Sequence, residues 1–264
     1  MLTAVKNQIK VSYLTTKYAL MREMVNKTTF LMNVIFMILN NSSFLIQWLV
    51  LYSLRDNIGG YSFKQIILLW GIAASTYGVS HFFFENAQNL SDMITNGKLD
   101  SYLVQPKNVL LTTITSTVTT SALGDILFGI IAMAISGFTI QKFIIFIIIS
   151  FTGGIIITDF SVILGSLSFW FGRADMIADT GNRLITQFST YPDGIFKGIA
   201  KALLFVLIPV GITAYLPLWI LIEFKLHLFL IIIAVTTILT ALAFLIFYKG
   251  LKRYSSSNLM IAKI

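Results

Sequence analysis

Residues 143–171 read FIIFIIISFTGGIIITDFSVILGSLSFWF, a run of 29 residues with a single charged side chain, Asp159. As a helix this stretch is ~43 Å long, more than the ~30 Å hydrocarbon layer of a bilayer. It must therefore tilt, kink at Gly153-Gly154, or end outside the layer. The run is continuous and rich in Ile, Leu and Phe rather than alternating, which selects a transmembrane helix over a barrel strand. Five further runs of this kind occur, at 30–52, 66–84, 122–140, 199–218 and 226–248. The sequence thus predicts an all-α integral membrane protein with six transmembrane helices in one domain.

Composition agrees. Of the 264 residues 56% are hydrophobic and 11% charged, where a soluble domain carries ~25% charged residues. So few charges cannot cover a 29.5 kDa particle in water. The chain has no cysteine, which excludes a thiol enzyme, a disulfide scaffold and a cysteine-ligated metal site. No cleavable signal peptide is expected, because residues 1–29 carry five cations and no apolar core.

Cations set the orientation. With both termini in the cytoplasm, the inner segments hold 15 Lys and Arg residues and the outer segments four, Arg55, Lys64, Lys142 and Lys225. The segments are an amphipathic N-terminal helix (1–29), spans one and two (30–84), an inner loop (85–121), spans three and four (122–171), an inner interfacial segment (172–198), spans five and six (199–248) and a cytoplasmic tail (249–264). The net charge of +8 then implies anionic inner-leaflet lipid as partner and requires no nucleic acid.

Residues 2–25 place Ile9, Tyr13, Leu14, Tyr18 and Met21 at helical spacing between Lys6, Lys10, Lys17 and Arg22. Such a helix lies in the membrane interface, as an anchor or as a lever on the first span. The loop 85–121 is the most informative soluble stretch. A short helix is predicted over 85–95 with Leu90 and Ile94 on one side, ended by Asn96-Gly97. A second turn carries Leu99, Tyr102 and Leu103 before Pro106 stops it. Projecting apolar residues on two short helices suit docking into a groove of another protein, with Lys98 and Asp100 pairing across the interface while Leu99 and Leu103 bury.

The series Gly59-Gly60-Tyr61-Ser62, then Gly97-Lys98-Leu99-Asp100 with Leu103 and Pro106, resembles the permease subunit of type-2 ABC exporters. The most similar group is the small six-span permeases described as antibiotic or drug exporter subunits. Ser168-Phe169-Trp170, Phe188-Ser189-Thr190-Tyr191-Pro192, Leu207-Ile208-Pro209 and Tyr215-Leu216-Pro217 resemble its later signatures in order, so the resemblance covers roughly residues 10–250. Tyr61 stands where that group often has Trp. The resemblance implies that the loop between spans two and three holds a short cytoplasmic coupling helix seated on a separate ATPase subunit, through Glu85, Gly97, Lys98, Leu99, Asp100, Leu103 and Pro106. It further implies a second, identical or related, permease chain, and residence in the inner membrane of a prokaryote. ATP and Mg²⁺ belong to the partner ATPase, and no cofactor or metal is expected here.

The residues themselves agree that the motor is elsewhere. No Gly-x-x-x-x-Gly-Lys-[Ser/Thr], His-Glu-x-x-His or nucleophile elbow occurs. The two histidines, His81 and His227, stand apart near span ends. Ionisable groups inside spans are costly and therefore functional candidates. Asp159 is read either as an acid bonded to a hydroxyl on a neighbouring helix or as a path residue, and Asp125 sits just inside span three. Asn40 and Asn41 belong to a polar turn of span one, suited to helix contact or to a path lining. Pro209 and Pro217 predict a break in span five at its outer half, where an export gate would sit. Rival functions are an autonomous secondary transporter, a lipid flippase not driven by ATP, and an intramembrane enzyme. The first should show inverted repeats and the last a clustered acid pair or His cluster, and neither feature is found.

Overall fold

The computed structural model describes residues 2–255, and the last residues of the predicted tail, 256–264, lie outside them. Helices begin where caps allow. Asn26 accepts the Thr29 N–H (3.1 Å) ahead of α2 (Lys27–Leu54), and Thr139 accepts the Lys142 N–H (3.2 Å) ahead of α8 (Ile140–Ser166). The chain starts with α1 (Leu2–Glu23) and α2, then α3 (Phe63–Phe83), which is buried along most of its length. Four short elements follow: a 3₁₀ turn (Glu85–Ala87), α4 (Leu90–Thr95), α5 (Asp100–Leu103) and α6 (Val109–Ile114). After α7 (Ser121–Gly137), α8 (Ile140–Ser166) and α9 (Ser168–Phe171) come α10 (Asp175–Ser189), α11 (Gly198–Val206), α12 (Leu216–Ile222) and α13 (Leu226–Leu251).

Small residues let α3 lie against α7 and α8 at close range. A Cβ on Gly129 would stand 1.8 Å from Ser75 Oγ, and one on Gly154 would stand 2.5 Å from Val79 Cγ1. Gly153-Gly154 is therefore a packing site, not a kink: α8 runs unbroken to Ser166, and the chain turns only at Leu167. Close backbone approach is how helices adhere where lipid removes any hydrophobic drive between them.

The bundle has two ends. One holds residues 85–121, with Gln8 of α1 bonded to the Asn108 N–H (3.0 Å) and Tyr254 donating to Asp100 (2.8 Å). Both described chain ends thus lie at the loop end. At the opposite end Tyr52 donates to Tyr61 O (2.7 Å) and Ser136 to Lys64 O (3.2 Å).

Among the described residues four helices are long and apolar enough to cross a membrane: α2, α3, α8 with α9, and α13. The 17-residue α7 is apolar but shorter. The predicted fifth span is where the structure departs from expectation. Residues 198–222 form two pieces bent by 80° around Leu207–Val210. Pro209 sits in the bend, as predicted. Pro217 does not break the chain: it occupies the first turn of α12, where its missing N–H is harmless. The preceding turn, Gly211–Tyr215, opens into a π-helix in which the Leu216 N–H reaches Gly211 O, giving the proline ring room. Both arms of the bent pair meet the opposite end, Lys201 through Asp193 (2.6 Å) and Trp219 through Tyr61 (2.7 Å). The pair enters and leaves on one side.

The end-to-end passage is made instead by α10. Asp175 accepts from Ser91 at the loop end (2.9 Å), while Asp193, four residues past α10, reaches Tyr61 at the opposite end. Residues 172–198 thus run between the two ends of the bundle, where an interfacial segment would stay at one. Mean hydropathy does not mark α10 as a span, because one face of it is polar.

Candidate functional site

Two features stand out, a cavity beside α10 and the cap formed by residues 85–121. The cavity, about 470 Å³, lies between α2, α3, α7 and α10. Asn41 Nδ2 donates to Asp125 Oδ1 (2.7 Å), both residues buried, and it also reaches Met37 O (3.1 Å). Gly124 makes this pairing possible, since a Cβ there would lie 2.5 Å from Val34 O. Asn40, Gln47, Tyr77 and Gln187 add polar groups; Phe44, Trp48 and Trp70 add aromatic surface.

A second recess of about 530 Å³ shares Tyr77, Thr186 and Gln187 with the first and continues to Gln88, Asp179, Asn182 and Arg183 near the loop end. Asp179, Asn182, Arg183, Thr186, Gln187 and Thr190 form one stripe of α10 at three- and four-residue spacing. Polar groups thus line the bundle from the loop end to Tyr191, whose ring meets Trp48 (5.9 Å). Sequence reading missed this stripe, although its periodicity was present.

Of the residues expected in a path, Asn40, Asn41 and Asp125 come together in the cavity, whereas Asp159, Pro209 and Pro217 are not among its lining. Asp159 accepts from Thr240 (2.6 Å) and ties α8 to α13. That is the neighbouring-helix hydroxyl of the first reading.

Beyond Tyr191, at the opposite end, lies a polar knot. Asp193 is the centre, bonded to Tyr61 and to Lys201; Lys201 in turn lies over the Trp219 ring (6.0 Å). Burial, reinforced by the Asp193 carboxylate, holds the Tyr61 phenol well above its ordinary value. It therefore remains a neutral donor to Asp193 throughout the physiological range.

In the cap, α4 ends as predicted at Gly97, with φ +69°. The Lys98 N–H returns to Met93 O (2.9 Å) and the Gly97 N–H to Ile94 O (3.4 Å), the paired bonds of a Schellman ending. Leu99 does not project: it is 0% exposed, packed with Leu90, Ile94, Leu110 and Phe169 of its own chain. Lys98 and Asp100 have partners within the chain instead of across an interface: Lys98 pairs with Asp92 (2.6 Å), and Asp100 accepts from Tyr254. Glu85 binds His81 (2.7 Å). What projects is the strip Leu103–Pro106, with Leu103 40% and Val104 84% exposed.

The profile of the ABC-2 family transporter proteins matches residues 36–258. The chain belongs to that family. No curated protein and no solved structure matches it. It is thus an ABC-2 type permease, a multi-pass membrane protein of an ABC transporter, and membership implies association with ABC ATPases. In this permease the membrane helices and the cap are one continuous packing unit: Val162 of α8 and Phe247 of α13 share the apolar cluster that buries Leu99.

Proposed function

We propose that this ABC-2 permease forms half of the path of an ATP-driven exporter, with a second permease chain facing α10 and α2 and a separate ABC ATPase seated on the Leu103–Pro106 strip. One observation carries the reading. The polar stripe of α10 runs between the two ends of a membrane bundle, and Asp179, Arg183, Thr186 and Gln187 are exposed on the single chain. Polar and charged groups at membrane depth face protein or water rather than lipid. A second permease chain would enclose the stripe as a wet corridor leading from the cap to the Asp193 knot, which acts as the outer gate. On this reading α2, α3, α7, α8, α10 and α13 are the six crossings, and residues 198–222 re-enter from outside.

The cations support cytoplasmic placement of the cap. With Lys197 and Lys201 moved to the outer end and Arg183 inside α10, twelve Lys and Arg residues remain inside and six outside. The exposed apolar face of α1, including Ile9, Tyr13 and Tyr18, suits the inner interface beside anionic lipid. ATP and Mg²⁺ act on the ATPase chain, and this chain carries the substrate.

Because the protein lacks cysteine, a single Gln187→Cys substitution tests the pairing. In oxidised membranes it is expected to cross-link two permease chains, while Leu245→Cys on α13 does not. Cross-linking at Leu245 without any at Gln187 would place the contact on the wrong face.

A further inference from the structure

We propose that the cavity at Asp125 is built for a monocationic amphiphile, a molecule joining an ammonium group to an apolar or aromatic body. The inference rests on the path reading and names the substrate class of that path. Charge comes first. Among the described residues Asp125 is the one charged residue lining the cavity. Asn41 satisfies Oδ1 alone, and Oδ2 has no hydrogen-bond partner among the described residues. His81, whose ring lies against Tyr77 (3.9 Å), is bound to Glu85, and the adjoining recess carries Asp179 and Arg183 together. An anion entering here would meet a carboxylate and no counter-charge, whereas an ammonium would complete the pair.

The wall around the carboxylate is aromatic: Trp70, 8% exposed, lines the cavity with its ring, its Nε1 enclosed by protein. The remaining wall fits the body of such a molecule. Phe44 stacks on Trp70 (5.3 Å) and Trp48 meets Tyr191, and these aromatic faces accept both apolar groups and cations. At about 470 Å³ the cavity has the size of an ordinary small-molecule site.

The test uses the full chain in lipid nanodiscs, without nucleotide or ATPase, and three fluorescent probes of one shape. Dansylcadaverine carries an ammonium and a sulfonyl oxygen. Its N-acetyl derivative is neutral, and dansyl-aminocaproate is an anion. Directly excited dansyl emission, corrected with empty nanodiscs, is expected to report about tenfold tighter saturable binding of the cation than of either other probe, as one charged hydrogen bond gives. Asp125→Asn, which keeps a side chain able to bond Asn41, is expected to abolish that preference. Equal affinities, a preference for the anion, no saturable binding of any probe, or a preference that survives Asp125→Asn would overturn the proposal. The wild-type comparison alone decides it if a variant fails to fold. Failure here leaves the Gln187 cross-link, and hence the path reading, untouched.

Discussion

A permease carrying Leu103→Glu and Val104→Glu is expected to fold, insert and pair normally, yet fail to hold its ABC ATPase. Both side chains are exposed on the free chain, so the substitutions remove no internal packing. Surface changes of this kind usually shift stability by no more than ~0.5 kcal/mol. At an interface the same residues would be central apolar anchors, each worth about 2 kcal/mol or more, and placing a carboxylate there adds desolvation. Together these predict a loss in affinity of about a thousandfold or more. Pull-down of the ATPase from detergent extract, alongside a thermal melt of the permease, reads both halves of the expectation. Leu99→Glu provides the contrast. Leu99 lies within the cluster that includes Val162 and Phe247, so its replacement is expected to unfold the cap. Lys98→Ala removes only an exposed pair with Asp92, worth ~0–1 kcal/mol.

The second large effect is expected at the outer knot, and it is asymmetric. The Asp193 side chain is 5% exposed and the Lys201 side chain 39%. Lys201→Met would strand a buried carboxylate with Tyr61 as its remaining side-chain donor, a cost of about 2–4 kcal/mol. Asp193→Asn keeps an acceptor for Tyr61 and frees a lysine that can turn to water, a cost of about 1 kcal/mol. Thermal unfolding in nanodiscs should rank wild type above Asp193→Asn and that above Lys201→Met. The double variant should recover part of the loss, since no buried charge remains. Equal single-variant effects would mean that the pair is not held in this desolvated geometry.

The membrane character was legible because apolarity is additive along a chain. The helices over 30–52, 66–84, 143–171 and 226–248 needed no tertiary information to be recognised. The course of residues 172–222 was not legible for the same reason. Residues 199–218 are apolar enough to span but are bent by 80° around Leu207–Val210, whereas α10, with one face polar, runs between the two ends of the bundle. Hydropathy measures what a segment is made of, not where its ends go; only the contacts of Asp175 with Ser91 and of Asp193 with Tyr61 reveal that. At the cavity, Asn41 and Asp125 were visible as polar residues in apolar runs, while their pairing across 84 residues was not. In the cap, Leu99 and Leu103 looked equivalent because sequence cannot distinguish an apolar loop residue buried in its own chain from one left for a partner.

The central claim is that this permease is driven from its loop end by a separate ATPase. A single Val104→Cys substitution in a chain otherwise free of cysteine tests it most directly. In sealed cells and in inside-out membrane vesicles, a membrane-impermeant maleimide should label Val104→Cys only in the vesicles, and a short cross-linker attached there should capture an ABC ATPase. Labelling from outside intact cells, or a cross-linker that captures no ATPase when one is present and active, would contradict the account.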